Sequence, residues 1–195
     1  TPGGGPALRA AADLVKRLSP DGRIWIPAPT WHHQTMVFEH ASLEILEYPY
    51  YDRQLNVHLF NEMMAALEDA LEGDVVLLHG CCHNPTGADL SDEQWQQLAA
   101  LLERRKLIPF IDLAYQGFGR GLDEDAYGVK LLTRSIPEVI VASSSSKSFS
   151  IYRERAGMIS LVSDLSQEKS SWLRKEILEV TRGLYFMSAD HGAAI

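Results

Sequence analysis

Ionisable and polar side chains follow three apolar runs of this sequence, at the point where each run ends. They are Asn84 after the run at 74–80, Asp112 and Tyr115 at the end of the run at 107–115, and four serines (143–146) with Lys147 after the run at 138–142. If these runs are parallel strands, their carboxyl ends meet at one edge of a sheet, which is where such sheets bind ligands. One edge would then hold an amide, a carboxylate, a phenol, several hydroxyls and an amine.

This combination of groups suits the chemistry of a carbonyl cofactor. A partly desolvated lysine near other cations has a lowered pKa and can attack a carbonyl carbon. A carboxylate can keep a pyridine nitrogen protonated, while a phenol or an amide can hydrogen-bond a ring oxygen. Hydroxyls, an arginine and the glycine-rich start of a helix can together bind a phosphate. Pyridoxal 5'-phosphate (PLP) requires all of these groups, so the pattern predicts a PLP site.

The segments that would position these residues alternate between strand and helix patterns. Apolar, β-rich runs lie at 23–27, 43–51, 74–80, 107–115 and 138–144, helical spacing of apolar residues lies at 6–18, 56–71 and 91–105, and a long polar helix is expected at 163–187. Ser91 and Gln94 have the spacing of a capping box, and Pro6 is placed as a first helical residue. The alternation predicts an α/β fold, with a mostly parallel sheet flanked by helices.

Length, charge and cysteine content restrict the class of protein. With 195 residues, 46% of them hydrophobic, the chain suits a single domain. The net charge of −8 argues against a nucleic-acid partner, and no apolar run has the length of a membrane span. Cys81 and Cys82 are adjacent, which excludes a disulfide framework and favours a reducing, cytoplasmic location. Because the chain starts without Met, we expect it to be an interior piece of a longer protein.

Four sequence motifs resemble those of one enzyme family. They are PTWHH (29–33), HNPTG (83–87), DLAYQGF (112–118) and SSSSKSFSIYRERAG (143–157). With these motifs in register over nearly its whole length, the chain resembles the aspartate/aromatic amino acid aminotransferase family, class I aminotransferases among the fold-type I PLP-dependent enzymes. The resemblance implies that residues 1–195 form a single domain, the central part of an incomplete PLP-binding large domain. The family's N-terminal arm, small domain and partner tyrosine for the phosphate would lie outside these residues.

The resemblance also implies a role for each matching residue. Lys147 would form the internal aldimine, and Asp112 would pair with the pyridinium nitrogen of the cofactor. The other cofactor contacts would be Asn84 and Tyr115 to the ring oxygen, Trp31 stacked on the ring, and Gly4, Gly5, Ser144, Ser146 and Arg155 around the phosphate. The catalytic residues would be Lys147, Asp112 and Tyr115, and the substrate-binding residues Trp31, Asn84 and Arg182. Arg182 would reach into the site of a partner subunit.

The reaction implied by the resemblance is a ping-pong transamination between an amino acid and a 2-oxo acid, carried out by a homodimer. Freed Lys147 would move the Cα proton to the cofactor, first as a base and then as an acid. Aspartate, glutamate and aromatic substrates all stay open, because residues 184–189 are more apolar than is usual in the family. Gly5 stands where a phosphate-facing hydroxyl is common, which predicts weaker phosphate binding. Gln34 replaces a frequent histidine that supports the ring-binding aspartate.

The same residue types also occur in different kinds of site. Ser144-x-x-Lys147 fits acyl-serine enzymes, although their Ser-Asp-Asn and Lys-Thr-Gly tripeptides do not occur in the sequence. A zinc site could use His79, Cys81, Cys82 and His83, but no second ligand pair follows them, so we predict no metal. Arg182 could be a solvated charge, Asp112 a helix cap, and Tyr115 and Trp31 core aromatics. The chain could also be a truncated, non-catalytic fragment that binds PLP weakly or not at all.

Overall fold

A six-stranded sheet forms the centre of the computed structural model, which describes residues 1–194. The strands in chain order are β1 (Arg23–Ala28), β2 (Glu44–Pro49), β3 (Tyr51–Asp52), β4 (Val57–His58), β5 (Val75–His79), β6 (Ile108–Leu113), β7 (Glu138–Ser144) and β8 (Gly157–Ser163). The order in the sheet is β2-β1-β5-β6-β7-β8. All neighbouring pairs are parallel except β7 and β8, which are antiparallel. β3 and β4 form a separate short antiparallel pair.

Helices cover both faces of the sheet. They are α1 (Gly4–Leu18), α2 (His32–His40), α3 (Phe60–Leu67), α4 (Asp92–Arg105), α5 (Tyr127–Ser135), α6 (Gln167–Tyr185) and α7 (His191–Ala194), with a 3₁₀ turn at Tyr152–Glu154. Among residues 1–194, no helix combines the length and apolar character needed to cross a bilayer.

The core consists of two apolar clusters, one on each face of the sheet. Successive residues of a strand point to opposite faces, and β5 accordingly contributes Val75 and Leu77 to one cluster and Val76 and Leu78 to the other. The first cluster includes residues of α1 and α2, and the second includes residues of α3, α4 and α5. Burial on both faces explains why β5 reads as one continuous apolar run.

The predicted α/β class with a mostly parallel sheet is confirmed. The predicted strand at 138–144 coincides with β7, and the four other predicted strands overlap β1, β2, β5 and β6. The capping box is also present, since the Ser91 side chain accepts from the Gln94 N–H and the Gln94 side chain accepts from the Ser91 N–H. The long polar helix is α6, which is shorter than the predicted segment at both ends.

Several sequence-based boundaries were wrong. The predicted helix at 56–71 is shortened to α3, because residues 57–58 pair as a strand with β3. The predicted strand at 43–51 is divided after Pro49, because Tyr51 pairs with His58 of β4 and so belongs to the separate antiparallel pair. α1 begins at Gly4, two residues ahead of Pro6. Proline is tolerated there because the N–H groups of the first helical turn have no intrahelical acceptor, so the N–H that proline lacks is not needed.

A buried carboxylate joins β1 to the start of β5. Asp74 is 5% exposed and accepts hydrogen bonds from Arg23 Nε (2.9 Å), Trp25 Nε1 (2.8 Å) and the Leu71 N–H (2.9 Å). Burial works to raise the pKa of Asp74, but the hydrogen bonds from Arg23, Trp25 and Leu71 outweigh it, so its pKa lies below the usual range. Asp74 therefore stabilises the fold mainly in its ionised form.

We expect Asp74→Asn to destabilise the protein by about 2 kcal/mol at neutral pH, because Arg23, only partly exposed, loses its counter-charge. The difference from wild type should narrow as the pH falls below about 4, since a group with a depressed folded-state pKa loses its contribution on protonation. The free energy of unfolding by urea, measured against pH, tests this. Asp69→Asn, at an exposed position five residues earlier in the chain, is the control. An equal loss of unfolding free energy in both variants would contradict the stabilising role assigned to ionised Asp74.

Candidate functional site

A cavity of about 170 Å³ opens at the carboxyl edge of the parallel strands. Ten of the residues predicted from the sequence line it together: Gly4, Gly5, Trp31, Asn84, Asp112, Tyr115, Ser144, Ser146, Lys147 and Arg155. Their positions follow from the parallel register, in which His79 is paired with Asp112 and Leu113 with Ser143. Five further residues complete the wall: Leu8, His79, Cys81, Ala114 and Tyr152.

Lys147, Asp112 and Tyr115 form the polar centre of this cavity. The Lys147 Nζ lies 3.9 Å from the centroid of the Tyr115 ring, a cation–π geometry that holds the amine over the phenol. Burial raises the pKa of Asp112 to about 6, against the lowering effects of a hydrogen bond from Gln34 and the charge of Lys147. Asp112 is therefore mostly ionised at neutral pH and can accept a hydrogen bond from a cationic N–H group.

One wall of the cavity has the donors of an anion site. The N-terminus of α1 has no side-chain cap and no acidic residue in its first turn, which leaves the first N–H groups of the helix free for a ligand. Arg155 lies beside it, and its Nη1 donates to the Tyr152 carbonyl (3.0 Å) and to Ser146 Oγ (3.4 Å). Ser144 Oγ accepts from the Ser146 N–H at 3.3 Å. This donor set fits a phosphate group.

Glycine at position 4 is required by the close approach of α1 to the end of β7. A Cβ atom on Gly4 would lie 2.9 Å from the Ser144 Cβ, closer than real side chains come. At Gly5 no atom lies within 4 Å of the corresponding position. The space between α1 and Ser144 is thus just large enough for the backbone.

The loop after β5 positions Asn84. The Asp89 carboxylate accepts from the N–H groups of Cys82 (2.8 Å) and His83 (2.9 Å), and His83 Nδ1 lies 2.8 Å from Thr86 Oγ1. The Asn84 N–H donates to His79 Nδ1 at 3.1 Å. Asn84 is therefore held against the strand end that carries His79.

The zinc alternative gains no support from the ligand geometry. Both ring nitrogens of His79 take part in hydrogen bonds, with Gln34 and Asn84. Among residues 1–194, the one set of three possible ligand atoms within 4.8 Å of one another is Cys81, Cys82 and Asp125. Burial raises the pKa of both thiols, and Asp125 accepts backbone N–H groups in its own loop. These conditions work against thiolate ligation.

Arg182 is the predicted site residue that does not line the cavity. It lies on α6 with its guanidinium 5.8 Å from the ring centroid of Phe186, exposed to solvent. Its predicted role concerns a partner subunit, so it stays a prediction. Leu8, Ala114 and Tyr152 were missed as wall residues. Leu8 follows from the helical spacing of α1, whereas Ala114 and Tyr152 lie within the quoted motifs, where no role was assigned to them.

We expect Gly4→Ala to lower the free energy of unfolding by roughly 1–3 kcal/mol, because the new methyl group overlaps the Ser144 Cβ. Gly5→Ala is the matched control and should leave stability unchanged or raise it by up to about 1 kcal/mol, since its methyl group meets open space and alanine is the better helix former. Chemical denaturation of both variants checks this difference. If the two substitutions cost the same, α1 does not lie as close to β7 as described.

Comparison with known proteins places this chain and its fold in one family. The model of the family described as aminotransferase class I and II matches residues 1–195. The chain is 47% identical to a tyrosine aminotransferase from Rhizobium meliloti over 195 residues, which are 100% of this chain and 50% of that protein. It is 44% identical to an aspartate aminotransferase from Haemophilus influenzae over 192 residues, which are 98% and 48% of the two chains.

A solved structure gives the same result. The crystal structure of an aromatic-amino-acid aminotransferase from Burkholderia pseudomallei, covalently bound to pyridoxal phosphate, matches with a TM-score of 0.94 and 41% identity, covering 98% of this chain and 48% of that one. The chain spans about half the length of the relatives that it matches. The chain belongs to the class I and II aminotransferase family.

Proposed function

We propose that this chain supplies the PLP-binding centre of an aminotransferase acting on an amino acid and a 2-oxo acid. The observation that carries the proposal is the cavity in which the Lys147 amine, the Asp112 carboxylate and a phosphate-sized group of donors meet. Family membership supports it, as does the relative from Burkholderia pseudomallei that is covalently bound to PLP.

Each wall of the cavity would hold one part of the cofactor. The α1 N-terminus, Ser144, Ser146 and Arg155 would bind the phosphate through N–H and O–H donors. Trp31 would pack on the ring, and Asn84 and Tyr115 would donate to its 3' oxygen. Asp112 would accept from the ring nitrogen and stabilise its positive charge. When bound, PLP supplies a carbonyl for covalent attachment and an electron-withdrawing ring.

Lys147 would have two roles, covalent attachment and proton transfer. Its Nζ lies over the Tyr115 ring, so the phenol and the amine can act on the same end of the cofactor. Once released by the substrate amine, Lys147 would take the substrate Cα proton as a general base and deliver it, as a general acid, to the cofactor carbon that had carried the carbonyl. We propose the ping-pong order because a single amine site would serve both half-reactions in turn.

The wider assembly is part of the same proposal. Arg182 is exposed on α6 and would bind a substrate carboxylate in the site of a partner subunit of a homodimer.

Aspartate, glutamate and aromatic amino acids are the proposed substrates, since relatives named for aspartate and for aromatic amino acids are 44% and 45% identical to this chain. The free thiols of Cys81 and Cys82 support work in a reducing compartment, which we propose is the cytoplasm.

Borohydride reduction of the PLP-loaded protein, followed by peptide mass mapping, tests the site. We expect one pyridoxyl adduct, on Lys147, and its complete loss in Lys147→Ala. Lys130→Ala is the control, because Lys130 lies on the surface, paired with Asp123. An adduct that persists in Lys147→Ala would overturn the assignment, and the absence of any adduct on folded wild-type protein would favour a non-catalytic fragment.

Asp112→Asn should separate attachment from catalysis. We expect the Lys147 adduct to form still, because the covalent bond does not involve Asp112. Transamination, measured as 2-oxo acid formation in the full protein, should fall by at least ~100-fold, since a charge that stabilises the transition state is lost. Wild-type rates in this variant would show that Asp112 does not hold the ring nitrogen.

A further inference from the structure

Gln34 is a fully buried polar residue that contacts three polar side chains, two of which line the cavity. It lies in the first turn of α2 and is 0% exposed. Its Oε1 accepts from Thr30 Oγ1 and lies 3.1 Å from His79 Nε2. Its Nε2 donates to Asp112 Oδ2 at 2.5 Å. Gln34 therefore connects the loop before α2, the end of β5 and the end of β6.

The direction of every hydrogen bond in this network follows from one backbone N–H. The Asn84 N–H can only donate, so His79 Nδ1, 3.1 Å away, must be the acceptor. Burial lowers the pKa of His79 to about 3, so the ring is neutral and carries its hydrogen on Nε2. That hydrogen points to Gln34 Oε1, which leaves the amide NH₂ of Gln34 facing Asp112.

We propose that Gln34 is a positioning residue that keeps Asp112 in its ionised, hydrogen-bond-accepting state, through an arrangement of protons that does not change with pH. An amide does not titrate, and His79 stays neutral through the working range of pH. The donor directed at Asp112 Oδ2 is thus constant. The inference rests on the proposed function in so far as Asp112 accepts a hydrogen bond from the ring nitrogen of PLP.

The other groups near Asp112 cannot replace this donor. Lys147, from the loop after β7, contributes its positive charge, but among residues 1–194 Gln34 is the side chain that hydrogen-bonds the carboxylate. His79, which is neutral, is the residue of β5 that is paired with Asp112 in the sheet. Tyr115 and Arg155 line the same cavity. Burial raises the pKa of Asp112 to about 6, and Gln34 and Lys147 limit that rise. Loss of the amide donor should therefore move this pKa upward.

Gln34→Leu tests the proposal, because leucine fills similar space without donor or acceptor. We expect the pKa of Asp112 to rise by ~1 unit, as expected for loss of a hydrogen bond to a buried carboxylate. The measurement is a ¹³C NMR titration of the cofactor-free full protein labelled at aspartate Cγ, with the Asp112 signal assigned by its loss in Asp112→Asn. Gln96→Leu, an exposed glutamine on α4, is the control and should leave the pKa of Asp112 unchanged.

A second variant reverses the polarity of the network. Gln34→Glu places a carboxylate beside Asp112, so one of the two carboxyl groups must take up a proton, and the pKa of the pair should exceed that in Gln34→Leu. A residue with a merely structural role would lower the unfolding temperature of both variants without moving these pKa values. An unchanged pKa of Asp112 in folded Gln34→Leu would overturn the inference.

The affinity for PLP distinguishes this inference from the proposed function. The ratio of the PLP dissociation constant of Gln34→Leu to that of wild type should reach ~10 below about pH 6. It should approach 1 above about pH 8, where Asp112 is ionised in both proteins. Failure of wild-type protein to bind PLP would refute the proposed function, while the NMR titration would still decide the role of Gln34. A ratio that does not change with pH would refute the inference alone.

Discussion

The parallel register of β5, β6 and β7 is the constraint on which the rest of the site depends. It pairs His79 with Asp112 and Leu113 with Ser143, so three chain segments separated by helices end at one edge. Side chains alternate between the faces of a strand. A shift of β6 by one residue would therefore turn Asp112 to the opposite face and move its apolar neighbours out of the clusters in which they pack. The apolar core therefore fixes the position of the carboxylate.

Two different periodicities bring Gln34 to Asp112. On β6, Phe110 and Asp112 share a face, two residues apart, while Ile111 and Leu113 belong to the cluster on the other side. On α2, Gln34 and Phe38 share a face, four residues apart. Phe38 packs edge-on against Phe110, with ring centroids 5.9 Å apart. This apolar contact, one step deeper in the core, thus aligns buried Gln34 with Asp112, which lines the cavity.

The sequence predicted the elements that have a local pattern of buried apolar residues, and it did not predict the elements and contacts that lack one. β5, β6 and β7 could be predicted because burial on both faces requires continuous apolar runs. Asp112 and Lys147 drew attention as polar residues near the ends of β6 and β7. α2 was missed because its buried residues are only Gln34 and Phe38, too few for a helical pattern. β8 was missed because this edge strand contains no fully buried residue. Gln34 was singled out by the family resemblance, as the replacement of a frequent histidine. Its partners His79 and Asp112 are distant in sequence, and the fold brings them into contact with it.

Asp74 and Asp112 show how one residue type is used in opposite ways at the two ends of this sheet. Asp74, just before β5, has a guanidinium of its own, and its hydrogen bonds hold its pKa below the usual range despite burial. Asp112, at the opposite edge, has a raised pKa, and within the described residues no cationic side chain donates a hydrogen bond to it. A carboxylate already paired with arginine has little left to offer a ligand cation. One held by an amide, with a lysine nearby, keeps its acceptor capacity, and this is the electrostatic difference expected between a structural and a functional acid.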